Sequence, residues 1–192
     1  MSVSLNKNDV VSLSKDVVVN DISIGLGWSS SKYSEDEYDL DASCYILQKN
    51  GLTRYEDDFV FYGNKKSHNG SIVHSGDNTT GSSGNVDDEV IIVKFNELPT
   101  YAERIVIVVS IYEAERRMQN FGIIDSAHIR VVDNFRGEEI LRYNLKEKFG
   151  NASAIKVAEL YRDKSEWKFH AIGEGYEGGL AKLCEEYGIE VS

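Results

Sequence analysis

Oxygen-bearing side chains are concentrated in a glycine-rich loop, residues 76–89, that directly precedes the apolar run 90–93. Ca2+ takes about six to eight oxygen ligands from carboxylates, Asn side chains and backbone carbonyls on a flexible loop. Gly76, Gly81 and Gly84 allow the backbone to turn and to point its carbonyls inward. The loop therefore predicts a calcium site at the rim of a β-sheet, although a solvated acidic turn uses the same residue types and is an equal alternative on this loop alone. The main carboxylate and amide oxygen donors of the loop are Asp77, Asn78, Asp87, Asp88 and Glu89.

Two further acidic clusters also stand directly before apolar runs. One spans residues 35–41 and includes Asp39 and Asp41, and the other is Glu56-Asp57-Asp58. Three acidic clusters at the starts of strands could converge at one end of a sandwich, where like-charge repulsion without a cation would be costly. None of them matches an EF-hand, and the segment after Asp39-x-Asp41 lacks the glycine that such a loop needs. The additional clusters favour calcium binding over a set of solvated turns.

Composition limits the classes of function. The 192 residues suggest one domain spanning 1–192, and 41% hydrophobic and 10% aromatic residues are typical of a globular protein. The net charge of −11 disfavours nucleic acid and direct docking on anionic lipid. Cys44 and Cys184 are far apart and are expected to be reduced thiols that behave as small apolar residues. With neither a signal-peptide pattern nor an apolar run of membrane-spanning length, we expect a cytoplasmic protein.

The hydrophobic pattern has mostly period two and predicts a mainly-β fold, a sandwich of two mostly antiparallel sheets with a few short helices. Ile22, Ile24, Leu26 and Trp28 alternate with small residues, as expected for a strand with one buried face. Apolar runs within 155–161 and 167–172 flank a polar turn and predict a hairpin. The predicted helices are 113–120, closed by Gly122, and a segment with apolar residues at helical spacing. That segment runs from Leu180 to Tyr187, with Gly188 after it.

An ordered set of motifs between residues 20 and 188 resembles the TerD family of tellurium-resistance and general stress proteins. The first half of the set is Gly25-Leu-Gly-Trp28, Asp39-Leu-Asp-Ala-Ser43, Asp58-Phe-Val-Phe-Tyr62, and Gly76-Asp-Asn-x-Thr-Gly81 with Asp87-Asp-Glu89. The second half is Gln119-Asn-Phe-Gly122, Ile129-Arg-Val-Val132, Glu159-Leu-Tyr-Arg162, Glu166-Trp-Lys-Phe169 and Gly173-x-Gly-Tyr-x-Gly-Gly-Leu180. Each motif is weak alone, whereas their order is specific.

The resemblance implies a calcium-binding β-sandwich without catalytic activity that acts with other stress-response proteins, in assemblies near the inner membrane. By motif it assigns ligand roles to Asp39, Asp41, Asp77, Asn78, Asp87, Asp88 and Glu89. Two departures from the family pattern are Ser29, where members commonly have Asp, and the neutral segment 82–86, where they carry acidic residues. Because ligand charge tunes calcium affinity, we expect one of two adjacent sites to be weakened.

Two other classes of function are alternatives to this interpretation. A calcium-dependent lipid- or carbohydrate-binding module is the alternative from a different class, followed by a metal-dependent hydrolase that would use His74 and Asp77. The sequence lacks a Gly-x-Ser-x-Gly element to expose a nucleophile. His68 and His74 could be a zinc pair, but Zn2+ normally takes four ligands. We therefore expect both to be loop histidines that face solvent.

Overall fold

The computed structural model describes residues 2–13, 19–30, 38–75, 87–145 and 149–190, apart from the side chains of Ser30, Ile123 and Asp125. In chain order the strands are β1 (Val3–Leu5), β2 (Val10–Ser12), β3 (Asp21–Ser30), β4 (Leu40–Leu47), β5 (Phe59–Val60), β6 (Ile72–His74), β7 (Glu89–Lys94), β8 (Arg104–Ile111), β9 (Ile124–Asp133), β10 (Glu138–Leu145), β11 (Ala154–Asp163) and β12 (Glu166–Tyr176). The helices are α1 (Ala114–Arg117) and α2 (Gly179–Glu186), with 3₁₀ turns at Glu56–Asp58, Phe95–Glu97 and Phe121–Ile123.

The strands form two six-stranded sheets, which confirms the predicted mainly-β sandwich. Sheet 1 has the order β1-β10-β9-β3-β7-β6, and sheet 2 has the order β2-β12-β11-β8-β4-β5. Among the described strands, β1 pairs parallel with β10 and the other neighbours pair antiparallel. The first twelve residues therefore supply an edge strand to each sheet.

The main core lies between the two sheets, where their alternating apolar side chains meet. The predicted buried face of β3 is observed, since Ile22, Ile24, Leu26 and Trp28 are all nearly inaccessible to solvent. A second, smaller apolar cluster lies on the outer face of sheet 2 beneath α2. This cover explains why β8 is apolar on both faces.

The α2 cluster also contains one of the two cysteines. Cys184 on α2 approaches the hydroxyl of Tyr45 at 3.2 Å, and Tyr45 stacks on Phe59 with ring centroids 4.4 Å apart. Cys44 is buried on the opposite side of sheet 2, and both thiols are free. Burial raises the pKa of both thiols, so they are protonated apolar residues, as the sequence predicted.

The local predictions agree with the observed elements, with one exception. The hairpin is β11–β12, which turns through Lys164 at φ 58°, and α2 ends before Gly188 at φ 81°. Helix α1 is shorter than predicted because Met118 adopts φ 53° and the chain leaves the helix there. Gln119 and Phe121 are both buried, which a continuing helix could not achieve for residues two positions apart.

The three acidic clusters do not converge at one end. Residues 38–42 and 87–89 lie where β3 ends and β4 and β7 begin, which we call the acidic end. Glu56–Asp58 lies at the opposite end, because β5 runs antiparallel to β4 and begins beside Tyr45. The predicted convergence is therefore wrong for the third cluster. In the part of the chain described by the structure, no helix is long and apolar enough to cross a membrane.

Candidate metal site

Trp28, near the end of β3, connects two of the acidic segments that the sequence singled out. Its backbone N–H donates a hydrogen bond to Asp88 Oδ2 at 3.3 Å, and its indole Nε1–H donates to the Tyr38 carbonyl at 3.3 Å. The Asp88 backbone N–H in turn donates to the Leu26 carbonyl at 2.7 Å. Residues 38–41 and 87–89, about fifty apart in the chain, are therefore joined at the acidic end.

Glu89 is the most deeply buried acidic side chain at this end, with 1% of the residue exposed. It lies on the inner face of sheet 1, and its Oε2 accepts a hydrogen bond from the Ala42 backbone N–H of sheet 2. That N–H is available because β5 pairs only with Cys44 and Tyr45 and ends before reaching Ala42. Glu89 therefore bridges the two sheets.

The surroundings of Glu89 satisfy only part of its hydrogen-bonding capacity. The imidazole Nε2 of His74 lies 3.6 Å from Glu89 Oε2. Within the described ranges, Glu89 Oε1 has no hydrogen-bond partner. Because a buried carboxylate oxygen without a partner costs free energy, a further positive or donating group at Glu89 Oε1 would be stabilising.

Two more carboxylates are buried at the same end of the sandwich, on the segment that begins β4. Asp39 and Asp41 are 7% and 5% exposed, respectively. They alternate with Leu40 and Ala42, whose side chains belong to the main core, so the two aspartates share the other face of the strand. Asp41 is paired across the sheet with Ser110 of β8. The structure thus brings Asp39, Asp41, Asp88 and Glu89 to one end of the sandwich.

Asp87 is directed to the outer face of sheet 1, where Arg130 binds it. Arg130 Nε donates to Asp87 Oδ1 at 2.7 Å, and Arg130 Nη2 donates to Asp87 Oδ2 at 2.8 Å. The carboxylate raises the pKa of the Arg130 guanidinium above its usual value. Sequence reasoning did not assign Arg130 a role. The available signal was a lone arginine within the alternating apolar segment 127–132.

The donor chemistry of the acidic end fits calcium, but the described residues do not complete a site. Carboxylate and carbonyl oxygens are the ligands that Ca2+ prefers. In residues 2–13, 19–30, 38–75, 87–145 and 149–190, no group of three or more His, Cys, Asp or Glu side chains is arranged to hold a metal ion. Asp77 and Asn78, two predicted ligands, lie outside the described residues.

The prediction that both histidines face solvent is wrong for His74. His74 belongs to β6 and is 2% exposed, because its side chain points between the sheets toward Glu89. His68 agrees with the prediction, since 48% of its side chain is exposed. It stacks on Tyr55 at the opposite end, with ring centroids 3.9 Å apart.

Comparison with known sequences identifies the family. Residues 1–187 match the TerD domain, which is nearly the whole chain. The chain belongs to the TerD family. The resemblance found in the ordered motifs is thereby confirmed, and the TerD fold is the sandwich described above.

TerD relatives match over their full length. Tellurium resistance protein TerD of Serratia marcescens is 44% identical over 193 residues, with 100% of both chains covered. General stress protein 16U of Bacillus subtilis is 42% identical with the same coverage. A crystal structure of a homologue of telluride resistance protein TerD from Streptomyces coelicolor has a TM-score of 0.68 and 21% identity, over 86% of this chain and 95% of the other. At that identity the structure shows a shared fold.

Proposed function

We propose that this TerD-family stress protein binds Ca2+ at the acidic end of the sandwich and has no catalytic activity of its own. Its relatives are tellurium-resistance and general stress proteins. In this proposal the bound ion joins residues 38–41 to residues 87–89 and fixes a surface for other stress-response proteins. Ion binding would thus act through the order and charge of the acidic end.

The buried Glu89 carboxylate carries the proposal. One of its oxygens bridges to sheet 2 through Ala42, while Oε1 has no partner in the described part of the molecule. Burying a carboxylate without compensation costs free energy, and a bound cation supplies that compensation. His74 is a neighbour at 3.6 Å and can offset part of the charge when protonated. His74 lies nearest Oε2, and Oε1 is left without a hydrogen-bond partner in the described residues.

We assign the ligand set by chemistry and position. Glu89, Asp39 and Asp41 supply buried carboxylates, with Asp88 beside them. Asp77 and Asn78 of the glycine-rich loop supply the remaining side-chain oxygens in this proposal. When bound, Ca2+ supplies positive charge and coordination to these oxygens, which is a structural contribution and not a chemical step.

Thiol chemistry is a poor explanation for tellurium resistance in this chain. Cys44 and Cys184 are buried, on opposite sides of sheet 2, and burial raises the pKa of each thiol. The thiolate is the reactive form, so both groups are held in the unreactive state. This argues against detoxification by a thiol of this chain. Free cysteines also suit a reducing compartment, and we place the protein in the cytoplasm, at most peripherally at a membrane.

The test is a calcium titration by calorimetry on chelator-stripped protein, paired with thermal melts with and without calcium. We expect binding and a raised melting temperature, since an ion that binds only the folded state adds about 2.7 kcal/mol at a hundred times its dissociation constant. Absence of both heat and shift in the wild-type protein would contradict the proposal.

Matched substitutions locate the site. Asp41→Asn removes one charge from the acidic end and is expected to weaken binding. Asp57→Asn makes the same chemical change at the opposite end, where 63% of the side chain is exposed, and is expected to leave binding unchanged. Equal effects of the two variants would place the ion elsewhere.

A further inference from the structure

A row of paired charges crosses the outer face of sheet 1 and ends at Asp87. Arg130 of β9 holds both oxygens of Asp87, and its Nη1 lies 3.7 Å from Glu139 Oε2 on β10. Glu139 also accepts hydrogen bonds from Arg142 at 3.2 and 2.8 Å and from the Ser2 hydroxyl at 2.7 Å. Arg130 is the member of this row that contacts Asp87, whereas Arg142 and Ser2 contact Glu139.

The backbone of β3 is shaped to receive the Asp87 carboxylate. Gly25 stands directly across the sheet from Arg130. A Cβ at position 25 would lie 2.1 Å from Asp87 Cγ, far inside contact distance. The carboxylate therefore rests on the bare Gly25 backbone while Arg130 binds it from the side. Any side chain at position 25 would displace it.

This arrangement places Asp87 and Glu89 on opposite faces of sheet 1. Residues two apart in a regular strand share a face. Here Asp87 contacts Gly25 and Arg130 on the outer face, whereas Glu89 lies on the inner face against Ala42 and His74. The chain bends at Asp88, and β7 begins at Glu89. Glu89 is the first residue of β7, in register with Leu26, and the bound Asp87 holds the chain immediately before it.

We propose that Arg130 is a positioning residue for the calcium site, acting through Asp87 to direct Glu89 between the sheets. The inference rests on the proposed function above. Asp87 then has a different role from the one predicted. Both of its carboxylate oxygens already bind Arg130, so Asp87 fixes the backbone position and is not a calcium ligand. Arg130 thus holds the chain just before β7, from the face of sheet 1 opposite the ion.

The sign of the change in calcium affinity tests this role. Arg130→Met keeps an unbranched side chain and removes the hydrogen-bond donors. We expect the calcium dissociation constant measured by calorimetry to rise about tenfold, which is typical when a residue that positions the metal ligands is lost. Charge alone predicts the reverse, because removing a positive group should favour binding of Ca2+. Arg142→Met is the matched control, since it removes the same charge from the same face without touching Asp87 and should not weaken binding.

A double-mutant cycle separates positioning from direct ligation. If Asp87 and Arg130 act as one unit, Asp87→Asn, Arg130→Met and the double variant weaken binding to similar extents, and the effects do not add. If Asp87 is itself a ligand, Arg130→Met frees its carboxylate and tightens binding, which overturns the inference. A purely structural role lowers the melting temperature of the calcium-free protein and leaves the dissociation constant unchanged, which also overturns it.

The two proposals fail in distinguishable ways. Wild-type protein that binds no calcium overturns the proposed function and the role of Arg130 with it. Wild-type protein that binds calcium, with Arg130→Met equal to Arg142→Met, overturns only the role of Arg130. Hydrogen exchange at the backbone amides of residues 88–90 supplies an independent readout. Faster exchange in Arg130→Met than in Arg142→Met, with calcium absent, supports the anchoring of β7.

Discussion

The two ends of the sandwich carry acidic triplets of the same design with different surroundings. Glu56-Asp57-Asp58 and Asp87-Asp88-Glu89 each stand directly before an apolar run, and in each the last acidic residue is buried. Asp58 accepts hydrogen bonds from the Tyr101 hydroxyl at 3.1 and 2.9 Å and from the Tyr55 backbone N–H at 3.3 Å. Glu89 has a backbone N–H at one oxygen and none in the described structure at the other. The supply of donors, and not the density of acidic residues, distinguishes a candidate ion site from a closed turn.

Removing the charge of Glu89 should have the largest effect on calcium binding. Glu89→Gln preserves the shape of the side chain and an acceptor for the Ala42 N–H but removes the negative charge. We expect the calcium dissociation constant to rise by roughly a hundredfold or more, which exceeds the loss typical for residues that only position the ligands. Calorimetry measures this change. Glu97→Gln is the matched control, because its side chain is 56% exposed at the opposite end. Unaltered affinity in Glu89→Gln would remove Glu89 from the site.

At the opposite end, truncating the buried acid should affect stability and spare calcium binding. Asp58→Ala leaves the Tyr101 hydroxyl and the Tyr55 N–H without their acceptor, and we expect a loss of about 2–3 kcal/mol in the free energy of unfolding. Urea denaturation in the presence and absence of calcium measures it. A change in the calcium affinity of Asp58→Ala would mean that the two ends of the sandwich are energetically coupled.

A smaller loss is expected when only one donor to Asp58 is removed. Tyr101→Phe deletes the hydroxyl that contacts both Asp58 oxygens, and the Tyr55 N–H remains. We expect destabilisation of about 1–2 kcal/mol, the cost of an unsatisfied buried acceptor. The same denaturation experiment applies. Equal stability of Tyr101→Phe and wild type would show that Asp58 does not depend on this bond.

The smallest effect is a difference in how stability depends on pH. Burial raises the pKa of Asp58 above its ordinary 3.8, against the opposing hydrogen bond from Tyr101. The stability that this raised pKa contributes is therefore present below pH 3.8 and is lost as pH rises through the folded pKa. The Arg142 hydrogen bond lowers the pKa of Glu139 from 4.5 to about 2. The stability that this lowered pKa contributes is present above pH 4.5 and is lost as pH falls toward 2.

Substitution of these two residues should therefore change acid stability in opposite directions. As pH falls from neutral to 4, the stability advantage of wild type over Asp58→Ala should grow. From pH 4.5 downward, its advantage over Glu139→Gln should shrink. Unfolding free energies measured across this range with each variant compare the two slopes. Parallel curves would contradict the assigned shifts.

The periodic elements of this fold were predictable because each is encoded locally. The alternation in β3 and the helical spacing from Leu180 to Tyr187 determine which side chains are buried, whatever lies opposite. The family resemblance added Asp39 and Asp41 to the acidic loop. Contacts made across the sheets could not be predicted in this way. The partners Arg130 and Asp87 are 43 residues apart, and their pairing requires the register of β3 with both neighbours.

The errors have the same origin. Glu56–Asp58 was placed with the other acidic clusters because the sequence does not state the direction in which β5 pairs with β4. His74 was assigned to a loop because its strand has only three residues and borders the glycine-rich segment. Both depend on strand order, which only the assembled sheets determine.

The first twelve residues have a practical consequence for producing and handling this protein. They close one edge of each sheet, β1 beside β10 and β2 beside β12, through only three paired residues on each side. Displacing this segment, by truncation or by a bulky amino-terminal fusion, would uncover two strand edges on one molecule. Exposed strand edges recruit further strands, so such preparations should be prone to form chains of molecules joined edge to edge.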